Sequence, residues 1–139
     1  MRIHVDTEVP RMRERNLLAW VALGGAVLLL AGCIGPVTVR EADQGKIVSL
    51  GIGDPLIVEL EGNPSTGYAW ERVGHLAETV LRPASEGKCQ PDNDMPGSPA
   101  TCTFRYQASS TGTTRLEYAY RRSWETEVLG TFAVTVVVR

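Results

Sequence analysis

Apolar and polar residues alternate with a period of two along much of the chain after residue 45, and a helical period is hardly present. Leu56, Val58 and Leu60 share one face while Glu59 and Glu61 lie on the other. Cys102, Phe104 and Tyr106 alternate with Thr103, Arg105 and Gln107. Leu116, Tyr118 and Tyr120 repeat the pattern, and Phe132, Val134, Val136 and Val138 close the sequence. Strands with one buried face need this alternation. Turn-forming residues cluster between the runs, at 51–55, 63–67, 91–99 and 109–112. Short strands at such spacing predict an all-β fold, an antiparallel immunoglobulin-like β-sandwich, with a small barrel as the competing closure. Only residues 74–80 suit a single helical turn.

The segment before this pattern reads as an address. Arg11, Arg13 and Arg15 precede an apolar run from Leu17 to Leu30, broken only by Gly24 and Gly25, and the run ends at Leu30-Ala31-Gly32-Cys33. That order predicts a signal peptide over 1–32 with a lipobox, cut before Cys33, whose thiol then carries lipid. The run is shorter than the roughly 20 residues a membrane-spanning helix needs. An uncleaved signal anchor is the alternative, but it leaves the cysteine without a reason. The stretch before Arg11 exceeds what a signal needs, so Met12 is a candidate start. Residues 33–44 are expected to be the lipidated Cys33 and a polar spacer, and 45–139 one domain. Such a chain is an exported, membrane-anchored bacterial lipoprotein on the periplasmic or extracytoplasmic face, held by lipid on Cys33.

Charge narrows the partners. Fourteen Lys and Arg stand against sixteen Asp and Glu, a formal net charge of −2, with no run of one sign long enough for nucleic acid or an anionic membrane surface. Cys89 and Cys102 remain, and an exported chain favours a disulfide between them. Two cysteines and His75, without CxxC or HxxxH spacing, do not make a zinc shell, so neither metal nor cofactor is expected.

The octapeptide Asn63-Pro64-Ser65-Thr66-Gly67-Tyr68-Ala69-Trp70 is built to hold a short loop in one shape. Pro64 fixes its own φ and pushes Asn63 towards extended geometry. Ser65 and Thr66 can bond back onto the turn, and Gly67 permits positive φ. An ordinary β-turn between strands satisfies the same residues.

From about Gly45 to Arg139 the chain resembles the chagasin-type protein inhibitors of papain-like cysteine peptidases, which are small immunoglobulin-like domains. Residues 63–70 match that family's first signature, Asn-Pro-Thr-Thr-Gly-aromatic-x-Trp, with Ser65 the one change within the loop. Its third signature, Arg-Pro-Trp after a strand ending in Tyr, falls on Tyr120-Arg121-Arg122-Ser123-Trp124, where Ser123 replaces proline. The glycine-rich second signature falls on residues 95–100 and keeps one glycine, Gly97, beside Ser98. The resemblance implies a wedge of three loops, the first plugging the peptidase cleft and the others gripping its sides. The implied contacts are Asn63, Pro64, Ser65, Thr66, Gly67, Tyr68, Gly97, Ser98, Arg122, Ser123 and Trp124. A loop shaped in advance costs little to order on binding, and Trp124 beside two arginines suits an interface anchor. Trp70, in a strand, is expected in the core.

Catalysis has little support. His75 is the single histidine after Cys33, and no Ser-His-Asp or Cys-His arrangement follows from the spacing. Glu59 and Glu61 are the wet face of a strand. The sequence therefore predicts a monomeric, reversible, non-covalent inhibitor whose partner is a papain-like cysteine peptidase, and no enzyme. The alternative is a structural or assembly lipoprotein that binds another envelope protein through the same loop end.

Overall fold

A computed structural model describes residues 35–139; Cys33 and the segment read as a signal peptide lie outside them. Eight strands run in the order β1 (Val37–Val39), β2 (Ile47–Leu50), β3 (Pro55–Gly62), β4 (Ala69–Val73), β5 (Leu81–Pro91), β6 (Ala100–Ala108), β7 (Gly112–Arg121) and β8 (Val128–Val138). They form two four-stranded sheets, β1-β3-β6-β5 and β2-β8-β7-β4, so the closure is the immunoglobulin-like sandwich and not the barrel. The long pairings are antiparallel as expected. Two edge pairings, β1 with β3 and β2 with β8, are parallel. Alternation reports which face a residue takes and carries no information on strand direction.

The core follows the period-two pattern. Leu56, Val58 and Leu60 of the first sheet and Leu116, Phe132, Val134 and Val136 of the second are essentially inaccessible. Tyr106 and Tyr118 are buried with them, their hydroxyls hydrogen-bonded to each other. Burial pushes both phenols up from their ordinary range, so they stay neutral donors in the core. Among the described residues, both sheets contribute to this one core cluster, from Val39 to Val138. In the stretch expected to be helical, Leu81 N–H reaches Ala77 O at 3.0 Å, which makes one turn and no more.

Two segments depart from expectation. Residues 37–43, assigned to the spacer, belong to the sandwich: Val39 is buried, and Glu41 and Asp43 lie in a 3₁₀ turn. Gln44 Oε1 accepts the Ala133 N–H at 2.7 Å. A strand of three residues is too short to display a period. β5 was equally hidden, because none of its residues after Leu81 is buried; an exposed edge strand need not alternate, and Pro83 and Pro91 suit such an edge.

Strand register brings three connections to one end. The first loop leaves β3 at Gly62 and enters β4 at Ala69, crossing between sheets. The middle loop joins Pro91 to Ala100, which is also the partner of Gly62. The third joins Arg121 to Val128, and Arg121 also pairs with Ala69.

Candidate functional site: the three-loop end

The first loop is a 3₁₀ turn, Pro64–Thr66, capped at both ends. Asn63 is extended (φ −137°, ψ 90°), as a residue before proline should be. Its Oδ1 accepts from the Ser65 N–H at 3.2 Å and the Ser65 hydroxyl at 2.6 Å, the capping role that Asn serves well. The Thr66 hydroxyl donates back to Asn63 O at 2.6 Å. Gly67 closes the turn at φ 81°, ψ −4°, in the left-handed region. All four sequence-level expectations for the loop are thus met in its geometry.

What the sequence did not reveal is how the loops hold one another. Asn63 Nδ2 donates to Gly97 O of the middle loop at 2.9 Å. From the third loop, Arg122 Nε donates to Thr66 O at 3.0 Å, and its guanidinium lies 4.4 Å from the Tyr68 ring centroid. Arg122 is itself held by Glu125 at 3.0 Å, which keeps its pKa above the usual value. The Trp124 indole rests on Gly67, where a Cβ would come within 3.0 Å of its Cη2. Its remaining surface is open, 72% exposed.

Beneath the first loop lies an aromatic platform. Tyr120 packs between Tyr68 and Trp70 at centroid distances of 5.5 and 5.0 Å. Its hydroxyl accepts the Asn63 N–H at 2.8 Å. Trp70 is half-buried against the core, with Nε1 donating to Glu61 O at 2.8 Å; it is a support at the core's edge. Alternation marks Tyr120 only as a strand residue, and nothing local marks its hydroxyl as the prop of a loop more than fifty residues earlier.

The middle loop is shaped from within. Ser98 N–H bonds to Met95 O at 3.1 Å, with Pro96 and Gly97 (φ 81°) in the central positions, the arrangement of a type II turn. Asn93 Oδ1 accepts the Met95 N–H, and the Ser98 hydroxyl donates to Asn93 O. Met95 is 70% exposed beside this turn. Cys89 and Cys102 are joined by a disulfide below it, as expected.

In the third loop, Glu125 N–H bonds to Arg122 O at 3.0 Å, so Ser123 occupies the second position of a β-turn, the one proline favours. The Ser123 hydroxyl donates to Glu71 Oε1 at 2.7 Å, and Arg121 pairs with the other oxygen at 2.7 Å. Ser123 first and Arg121 second hold the Glu71 carboxyl below the usual carboxylate range. All eleven predicted site residues therefore fall on this end of the sandwich. Arg122 is turned inward as a clamp, and Ser123 is engaged with Glu71.

Residues 49–136 match the family described as Chagasin family peptidase inhibitor I42. The chain belongs to that family. Amoebiasin-2 of Entamoeba histolytica is 28% identical over 102 residues, 71% of this chain and 82% of that protein. Chagasin of Trypanosoma cruzi is 26% identical over 89 residues, 62% of this chain and 81% of that protein. The crystal structure of the cysteine protease inhibitor EhICP2 from Entamoeba histolytica matches with a TM-score of 0.66 at 26% identity, covering 76% of this chain and 96% of that one. The chagasin-family chain is a peptidase inhibitor by descent and not an enzyme. Its Ser123 departure from the family's proline leaves the turn standing, because a β-turn accepts most residues at that position.

Proposed function

We propose that this chain is a reversible, non-covalent inhibitor of papain-like cysteine peptidases that works by occlusion. The first loop enters the active-site cleft and the middle and third loops seat on its two rims. The observation that carries this reading is the closed, doubly capped turn at 63–67, tied to both neighbouring loops by side-chain bonds. A wedge of this kind keeps its shape before contact, so little ordering entropy opposes binding. Its tip carries the small hydroxylated residues Ser65 and Thr66, which fit a narrow cleft. Their hydroxyls are already spent within the loop, and the backbone is folded into a 3₁₀ turn, so no extended peptide is offered for cleavage.

The exposed Trp124, anchored on Gly67, supplies the large apolar contact on one side, and Met95 on the other. The chain is exported and held at the membrane by lipid on Cys33, so the inhibitor guards the extracytoplasmic face. Two measurements test the reading. Residues 35–139 should inhibit a broad papain-like enzyme reversibly, and Cys33→Ala in the full chain should release the protein to the soluble fraction or leave the precursor uncleaved. Absence of inhibition at micromolar concentration would favour an envelope-binding lipoprotein. Unchanged processing and membrane partition of the variant would remove the anchor.

A further inference from the structure

β5 is an edge strand that pairs with β6 along its length but buries little of itself. From Arg82 to Pro91 none of its residues is buried, and its pairing with β6 shifts register between Pro83 and Ser85 and again between Ser85 and Lys88. Beyond the second shift it is held by the pairs Lys88–Thr103, Cys89–Cys102, Gln90–Thr101 and Pro91–Ala100, and proline donates nothing to the ladder. The disulfide is the covalent cross-link of this arm to β6, and the middle loop runs from the end of β5 to Ala100 of β6, closed at its base by the Asp92 N–H to Pro99 O bond at 2.9 Å. Cys102 is buried, and its Sγ lies 3.2 Å from where a Cβ on Gly62 would stand. Gly62 directly precedes Asn63, whose amide bonds to Gly97 O. The bridge therefore underlies both loops and the bond between them.

We propose that Cys89 and Cys102 are positioning residues for inhibition and that their bridge makes it redox-dependent. Oxidised, the bridge holds the middle loop against Asn63; reduced, it lets that loop leave while the sandwich stays folded. The inference rests on the inhibitor reading above. The reductant is a dithiol. One of its thiolates attacks Sγ of Cys89, the exposed cysteine, and Cys102 departs as a thiolate and takes up a proton. The second thiol of the reductant then displaces Cys89, which leaves the reductant as a disulfide and both cysteines as thiols. A papain-like peptidase itself works through a reduced thiol. Conditions that keep such an enzyme active therefore also open this bridge and loosen its inhibitor.

The test compares the oxidised domain, residues 35–139, with its Cys89→Ser/Cys102→Ser variant against a peptidase activated with dithiol and then freed of it. Each background is also measured with Asn63→Asp, which keeps the oxygen that caps the turn and removes the amide donor to Gly97. The serine variant should melt cooperatively and inhibit roughly tenfold more weakly, the scale of ordering a loop on binding. Asn63→Asp should weaken the oxidised domain by a larger factor than the serine variant, where the contact is already lost; such non-additivity marks coupling and not general damage. Should the serine variant fail to fold, amide exchange on the reduced wild-type domain reads the same point: exchange should quicken across 92–99 and stay slow in β7 and β8. Undiminished inhibition by the serine variant, an equal Asn63→Asp factor in both backgrounds, or unchanged exchange across 92–99 would overturn the redox role alone. An oxidised domain that inhibits nothing would overturn the inhibitor reading, and this proposal with it.

Discussion

The first loop and the middle loop stand side by side at the same end of the sandwich and are held by different means. The first is capped internally by Asn63 and Thr66, propped from below by Tyr120, and clamped from the third loop by Arg122 and Trp124. The middle loop has its own turn but meets the rest of the loop end through one bond, from Asn63 to Gly97, and through an exposed strand stapled by a disulfide. Rigidity at this end is thus concentrated where the chain would enter a cleft, and adaptability is left to a flank. The same contrast explains why the family's first signature is changed here only at Ser65 while the second has dwindled to Gly97. A loop gripped by both of its neighbours tolerates few replacements, whereas one held by its own bonds and its stem tolerates more.

The largest expected effect is at the tip. Ser65→Arg or Thr66→Arg should lower the melting temperature only slightly, since both side chains are exposed and each gives up one hydrogen bond to Asn63. Overfilling the cleft should weaken inhibition by about 3 kcal/mol. The equally bulky Ser98→Arg on the adaptable flank should cost less. Inhibition constants for the three variants, with melting curves as folding controls, decide whether the two loops differ as described. Next comes the anchor: Trp124→Ala should cost about 2 kcal/mol of binding if its open face is buried by the enzyme.

Two glycines with the same φ of 81° sharpen the comparison further. Alanine in the left-handed region costs about 1–2 kcal/mol of stability at either site. At Gly67 the new methyl also meets Trp124 at 3.0 Å, while at Gly97 it meets nothing within 4 Å. Gly67→Ala should therefore lose both stability and inhibition, and Gly97→Ala mainly stability. Paired thermal and inhibition measurements would separate the two.

The smallest effects belong to the base of the third loop. Ser123→Pro should change stability by no more than about 0.4–1 kcal/mol in the favourable direction from proline's restricted unfolded chain, offset by loss of the Ser123–Glu71 bond. Glu71 titrates lower in the folded protein than its ordinary value of 4.5. Its contribution is fully present above that value and is lost as the pH falls through the lowered one. Ser123→Ala should move the Glu71 titration upward, which carboxyl NMR would record directly.

Much of this was legible in the sequence, for physical reasons that also mark the boundary. Strands with one wet face announce themselves, so β3, β6, β7 and β8 were readable from Leu56, Cys102, Leu116 and Phe132 onward. β5 and β1 were not, because the first buries almost nothing and the second is three residues long. In the site, Asn63, Pro64 and Gly67 act on their own neighbours, and local chemistry revealed them. Tyr120, Arg122 and Glu71 act across the fold, and the clamp of Arg122 on Thr66 has no local mark in the sequence. Cross-loop bonds such as Asn63 to Gly97 depend on register that a single sequence does not display.

The central claim is that the first loop covers the catalytic thiol of the peptidase. It is tested most directly by alkylating that thiol with iodoacetamide, free and at saturating inhibitor, and then dissociating the complex. The account predicts a thiol protected in the complex, a peptidase that regains activity once the inhibitor is removed, and an inhibitor recovered uncut between Asn63 and Gly67. A thiol alkylated at the same rate in the bound enzyme as in the free one, or a first loop found cleaved, would contradict it.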